Sequence, residues 1–363
     1  MDTATQALLG AVVGQAGFSH KLGRRALVWG AIGGLLPDLD VFAGLATEPF
    51  GEWVHHRGTT HALWFGPVLG PFLGWLIWRH YARKDGQSTK GSPGDPALRS
   101  AWMGLMTLAL FTHPLIDVFT TYGTQLFAPF SRQRFALNSV GIIDPIYSGL
   151  LVAGLLAGWW LRRRPARARA AAFTVLALSW GYLFYGWWLN ENARVDLQRQ
   201  LASAGHADAP VNVYPTLLQP YLRRSVARVG DEIWVGLHTP LGGGHSAWER
   251  FRPAPPGPLV RQVEESEGGR IFQWFAMGET VARVRHFPGG TSVEVDDLRY
   301  GLPGNPERGL FGIRATFDTE GRLQGEVQRT RYQPSAPSLR ALWRAIFGDF
   351  SALGLPPPSS GVN

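Results

Sequence analysis

Over its first half the chain alternates apolar runs with short polar linkers, and then it changes character. Six apolar segments can be drawn, at about Thr5–Phe18, Ala26–Leu45, His61–Trp78, Ala101–Phe119, Ile142–Leu161 and Ala170–Leu189. A membrane-spanning helix needs roughly 20 mostly apolar residues, with a lower limit near 17. The last two segments satisfy this, and the third and fourth are acceptable. The first is short, and the second contains Asp38 and Asp40, so a buried hairpin is an alternative for that pair. The pattern predicts an α-helical polytopic membrane domain of about six apolar helices over residues 1–190. The first run lacks a basic start and follows an acid, Asp2, which reads as a retained helix rather than a secretory signal.

Residues 191–335 predict a smaller β-rich domain. Asn190–Gly205 reads as a short polar helix leaving the membrane. Val226–Leu237, Ile271–Phe287, Thr291–Tyr300 and Gly309–Gln328 are rich in Val, Ile, Phe and Thr, with turn residues such as Pro288-Gly289-Gly290 between them, which predicts an antiparallel sheet. Residues 336–363 predict a short amphipathic helix, Ser338–Phe347, with Leu339, Leu342, Trp343 and Ile346 on one face, followed by a disordered tail at Pro356–Ser360.

Charge adds orientation. The net charge is +8, but the basic residues fall in short clusters between apolar runs rather than on one stripe, so no nucleic acid is expected. Lys21, Arg24 and Arg25 form one cluster; Arg79, Arg83, Lys84, Lys90 and Arg99 a second; Arg162, Arg163, Arg164, Arg167 and Arg169 a third. Excess Lys and Arg mark cytoplasmic linkers. On that map the alternate linkers, and the C-terminal domain, are extracytoplasmic, in a bacterial inner membrane. The chain has no cysteine, so any metal must be held by nitrogen and oxygen.

Three pieces carry candidate chemistry, and all fall on the predicted outer side. They are Pro37-Asp38-Leu39-Asp40, His55-His56-Arg57-Gly58-Thr59-Thr60-His61 and His113-Pro114-Leu115-Ile116-Asp117. A His and an Asp four residues apart share a helix face. Two Asp two residues apart in an extended turn point the same way. Ionisable groups at membrane depth are functional by default. The expected metal ligands are Asp38, Asp40, His56, His61, His113 and Asp117, for zinc or manganese. His55 reads as exposed or supporting, Asp144 as a helix cap before Pro145, and Tyr122 and Ser131 as candidate pocket lining. The late His206, His238, His245 and His286 show no ligand spacing.

These motifs, with Asp2, Thr5, Thr121-Tyr122-Gly123 and Leu126-Phe127-Ala128-Pro129-Phe130-Ser131, resemble the YdjM-like family of inner-membrane metal-dependent hydrolases. The resemblance covers about the first half of the chain. It extends distantly to the zinc-dependent phospholipase C and single-strand nuclease group, where a His-x-x-x-Asp pair is a ligand element. It implies a His after the early Thr, where this chain has Gln6. The expected activity is metal-dependent hydrolysis of a phosphate ester or lipid. Asp40 (or Asp38) would act as base, and Arg57 would steady developing negative charge. A non-catalytic protein with a structural metal and an envelope-binding outer domain is the alternative, and an ion transporter a third reading.

Overall fold

The computed structural model describes residues 1–47, 49–84, 92–241, 244–333 and 337–355. Lys90 of the second basic cluster and the Pro356–Ser360 tail lie outside the described residues. The chain divides into two compact units, one of residues 1–43, 55–185 and 217–219, the other of 44–54, 186–216 and 220–363.

The first unit is helical. Its elements are α1 (Thr3–Gly17), α2 (Ser19–Leu22), α3 (Arg25–Leu35), a 3-10 turn at Leu36–Leu39, α4 (Asp40–Leu45), a second 3-10 turn at Thr59–His61, α6 (Phe65–Lys84), α7 (Arg99–Asp117), α8 (Pro145–Trp160) and the start of α9 (Pro165–Ser203); α5 (Gly51–His55) belongs mostly to the other unit. Asp2 caps α1 by accepting from Thr5 N, and Asp144 caps α8 by accepting from Ile146 N and Tyr147 N.

Small residues set the helix spacing. A Cβ on Gly10 would lie 2.1 Å from Gly30 O, and one on Gly14 the same distance from Ala26 O. α6 repeats the device: a Cβ on Gly70 or Gly74 would come within 2.4 Å of the α7 backbone at Thr107 or Met103. Glycine every fourth residue lets two backbones touch. Leu9, Val12, Val13, Ile116, Tyr147 and Leu151 fill one core; Leu22, Ile77, Trp102, Leu105 and Met106 fill another.

The expectation of six spanning helices is overturned. Among the described residues, two helical stretches are long and apolar enough to cross a membrane, Arg25–Gly44 and Pro165–Ser203. α8 is apolar but has 16 residues, and α1 has 15. The physical reason is that the other runs are short, or are diluted by Arg, His, Thr and Asp at their ends, and that α1 and α7 are largely turned inward. In α1 the apolar residues Leu9, Val12, Val13 and Ala16 are all buried in protein. Ten of the residues of α7 are buried too.

The second unit holds two antiparallel sheets. β1 (Val211–Pro215), β2 (Arg223–Val229), β3 (Glu232–Thr239) and β4 (His245–Phe251) form one meander, and β5 (Thr280–Phe287), β6 (Gly290–Asp297), β7 (Phe311–Phe317) and β8 (Gln328–Arg331) the other. Tyr214, Val226, Ile233 and Val235 from the first meet Val281 and Leu298 from the second. Between them in the chain lie α10 (Pro258–Glu265) and α11 (Glu267–Phe275). Ile271–Phe275, expected in a strand, is helical, because Ser266 accepts from Gly269 N and starts a helix whose Phe272 and Phe275 are buried. The end of α9 lays Ala193, Leu197 and Leu201 on the first sheet. The last helix is α12 (Leu339–Ile346), capped by Ser338.

His238 is fully buried, with Nδ1 on Ser246 Oγ at 3.1 Å. Burial pushes its pKa down to about 4; Asp196 opposes this and Arg223 adds to it. The unfolded ring binds its proton near pH 6.5. Between those values the unfolded chain holds more protons, so stability is present above pH 6.5 and is lost as pH falls toward 4. We expect up to about 3 kcal/mol of acid destabilisation from this residue, since each tenfold loss of proton affinity on folding is worth about 1.4 kcal/mol. Denaturant unfolding of the full chain at pH 7 and pH 4.5, for wild type and His238→Gln, checks it; an equal loss in both would remove His238 as the cause.

Candidate metal centre

The 3-10 turn Leu36–Leu39, the turn Thr59–His61 and the end of α7 bring four groups together. One ligand atom each from Asp38, His61, His113 and Asp117 lies within 4.8 Å of every other. His61 Nε2 is 2.9 Å from His113 Nε2, 3.2 Å from Asp117 Oδ2 and 3.6 Å from Asp38 Oδ1. His113 Nε2 is 3.3 Å from Asp38 Oδ1 and 3.6 Å from Asp117 Oδ2. Ligands about 2.0–2.1 Å from a tetrahedral ion stand roughly 3.3 Å apart. The observed separations bracket that edge.

The other ring nitrogens fix which atoms face inward. His113 Nδ1 donates to Gly34 O at 2.6 Å, one of the carbonyls left free at the end of α3. His61 Nδ1 lies 3.1 Å from Asp40 Oδ2 and 3.0 Å from Thr60 Oγ1. With both Nδ1 atoms donating, both Nε2 lone pairs point into the group, the orientation found in metal-ligating histidines. Two lone pairs at 2.9 Å repel unless a proton or a cation lies between them. Asp38 Oδ2 and Asp117 Oδ2 are buried without a hydrogen bond of accepted geometry, although Arg57 Nε sits 3.1 Å from the latter. These all-nitrogen-and-oxygen donors fit a divalent metal ion.

The surrounding carboxylates place a positive charge at the same spot, carried by a proton on His61 when no cation is bound. Burial alone favours a neutral His61, but Asp117, Asp38 and Asp40 outweigh it and push the ring up to about 10. Burial dominates at His113 and holds it below the usual imidazole value. Asp117 is opposed by burial, yet Arg57, the Met1 ammonium and the two imidazoles hold it well below the carboxylate range. Its Oδ1 meets the Met1 ammonium and accepts from Gln6 Nε2 at 3.0 Å. Gln6, where the resemblance implied a His, therefore lies on a candidate ligand.

Asp38 and Asp40 do not point the same way. They lie in a 3-10 turn and at a helix start rather than in an extended turn. Side chains two apart on a helix diverge. Asp38 faces the Nε2 atoms, while Asp40 takes the far side of His61. Asp40 also accepts from Arg57 N at 3.0 Å and Thr60 Oγ1 at 2.7 Å, and contacts His56 Nδ1 at 2.8 Å. His56 thus stands beside the four-residue group rather than in it, its ring centroid 5.9 Å from that of His61.

Arg57 is buried and has φ of 59°, the left-handed region, which a non-glycine residue enters at a cost. Its N–H serves Asp40, its C=O accepts from Gln125 N at 3.0 Å, and Nη1 donates to Thr120 Oγ1 at 2.7 Å. Its guanidinium stacks 4.9 Å from the Tyr122 ring. Sequence reading missed Gly34 and Thr120. Gly34 carries no signal except its place near a helix end, and Thr120 sits in the polar turn after α7; Thr60, inside the His55–His61 motif, bonds Asp40. His55 is exposed, Asp144 is a cap, and Ser131 Oγ accepts from Gln133 N within its own loop.

A helical unit holding a buried His/Asp group with metal-ligand spacing, joined to a two-sheet unit, is the class that fold and site define. Residues 1–193 match the family described as YdjM inner membrane protein; the chain belongs to that family and is membrane-associated. The resemblance to the YdjM family drawn from the motifs is borne out. YfhP of Bacillus subtilis (strain 168), described as uncharacterized, is 26% identical over 188 residues, which cover 48% of this chain and 51% of YfhP. The chain thus spans about half the length of that relative. The inner membrane protein YbcI of Escherichia coli (strain K12) is 29% identical over 164 residues, 38% of this chain and 86% of YbcI. No solved structure matches.

His113→Ala and Asp117→Asn are each expected to strip divalent metal from detergent-purified protein. Asp40→Ala is expected to weaken binding about 10–100-fold without abolishing it, because Asp40 orients a ligand. Elemental analysis and metal titration measure both; full occupancy in both His113→Ala and Asp117→Asn would remove the α7 pair from the site.

Proposed function

We propose that the protein is a membrane-bound metal-dependent hydrolase acting on a phosphate ester, carried in a lipid, at the outer face of the inner membrane. The carrying observation is the pair of Nε2 atoms at 2.9 Å with two carboxylates around them. Asp38, His61, His113 and Asp117 would hold the ion, with zinc or manganese fitting the donors. A bound divalent ion supplies Lewis-acid polarisation and activation of water.

The chain's own groups divide the remaining work. His61, His113 and Asp117 side chains are 0% exposed, whereas Asp38 retains 11% and His56 18%, so the site is reached from one side. A closed structural site keeps no such open side. His56 lies at this opening, and Asp40 orients it. This pair is placed to take a proton from attacking water and return it to the leaving oxygen. Arg57, engaged by Asp117 and Thr120, fixes the charge and position of a ligand rather than gripping substrate. Leu39 and Phe42, 53% and 67% exposed beside the two acids, suit a substrate with acyl chains. The zero exposure of three of the four ligands favours the structural-metal reading instead.

Orientation rests on α9. Arg162, Arg163, Arg164, Arg167 and Arg169 cluster at the start of this candidate span, which supports a reading with its start in the cytoplasm and the two-sheet unit outside.

Purified protein given mixed envelope lipids and model phosphodiesters is expected to cleave one class, with loss on chelation. His56→Gln is expected to keep the metal and lose about 10²–10⁴-fold in rate. Tight metal with no cleavage under any ion selects the structural reading. A periplasm-only reporter fused after Gln333 is expected to be active; activity of a cytoplasm-only reporter there would invert the orientation.

A further inference from the structure

The last helix, α12, is apolar on two faces. Leu342, Ala345 and Ile346 pack inward against Leu222, Leu237 and Phe350. Leu339, Trp343 and Phe347 stand outward, 73%, 64% and 53% exposed. They are four residues apart, so they form one stripe along the helix. The Trp343 and Phe347 rings touch, with centroids 5.4 Å apart. The sequence grouped Leu339 and Trp343 with the inward residues; the sheet takes only one side. Beside the stripe, Arg340 and Arg344 are exposed or half-exposed, and Arg344 is partly offset by Asp349.

We propose that this outward stripe inserts into the surface of an anionic bilayer, with Arg340 and Arg344 against lipid phosphates. An amphipathic face with Trp, Phe and Leu flanked by Arg is the composition that lies in the headgroup region. The chain belongs to an inner-membrane family, so a bilayer is already tethered to this helix. A second copy of the chain is the weaker occupant. A stable interface needs about 800 Å² per partner, and three partly exposed side chains of at most about 150–250 Å² each fall short of it. The inference is independent of the metal chemistry, since none of these residues belongs to that site.

The absence of cysteine in the natural sequence permits site-specific labelling. Full-length Phe347→Cys, carrying an environment-sensitive fluorophore, is placed in nanodiscs of phosphatidylglycerol with phosphatidylcholine, with and without brominated acyl chains. Glu320→Cys, on an exposed turn, is the control. Quenching by brominated lipid is expected at 347 and not at 320, and more strongly in anionic than in purely neutral discs. Adding Leu339→Glu and Trp343→Glu is expected to cut the quenching several-fold with unchanged thermal unfolding, since both side chains point outward. Quenching at 347 no greater than at 320 overturns the proposal. So does shielding that needs two chains per disc, which would make a second copy the occupant. Equal quenching in neutral and anionic discs overturns the role given to the arginines.

Discussion

Asp117 sits where water does not reach, and the helical unit is arranged around compensating it. A buried carboxylate without partners is too costly to keep ionised. Its partners come from distant parts of the chain: Arg57 from the segment before the 59–61 turn, His61 from the turn itself, and the Met1 amine and Gln6 from the start of α1. None of these interactions forms until the elements dock. The strained backbone of Arg57 is tolerated for the same reason, since straightening it would withdraw an N–H from Asp40 and a guanidinium from Asp117. The site and the tertiary fold are therefore the same set of contacts.

That docking needs helices closer than ordinary side chains permit. A Cβ on Gly34 would lie 2.3 Å from Gln6 O, so any larger residue would push α1 and α3 apart. The same Gly34 supplies the carbonyl that sets the ring of His113. Close backbone packing and ligand orientation thus meet at one residue. It also explains why apolar runs did not become separate spans. Much of the hydrophobic surface of α1 and α7 is consumed in protein contacts, so composition alone overstates how much of it is available to lipid.

Local periodicity made part of this legible. His113 and Asp117 share a helix face, as their spacing requires, and the motifs identified the family before any geometry. The change from apolar helices to a β-rich second half was visible in composition, and Ser338 marked the start of α12. What was hidden depends on long-range partners. Nothing in Ile271–Phe275 says that its aromatic residues will be buried from a helix rather than a strand. Nothing in Gly51–Val54 says that this stretch leaves its neighbours for the second unit, where Trp53 stacks on Phe275 with ring centroids 4.9 Å apart. A Pro-containing turn holding two acids does not disclose whether it is extended or 3-10.

That last ambiguity decides what the centre can do. In an extended turn Asp38 and Asp40 would crowd one position and add two negative charges to the same ion. In the 3-10 geometry they take opposite sides of His61, one at Nε2 and one at Nδ1. One acid is then left to pull on the far nitrogen, which raises the basicity of the ligand. The second oxygen of that acid is free for His56, which keeps partial contact with solvent. A single imidazole, His61, therefore links the buried group to His56 at the opening through the Asp40 carboxylate. Four residues with metal-ligand spacing and a neighbouring Asp40–His56 pair are thus separate in space, although the sequence alone presents them as one motif.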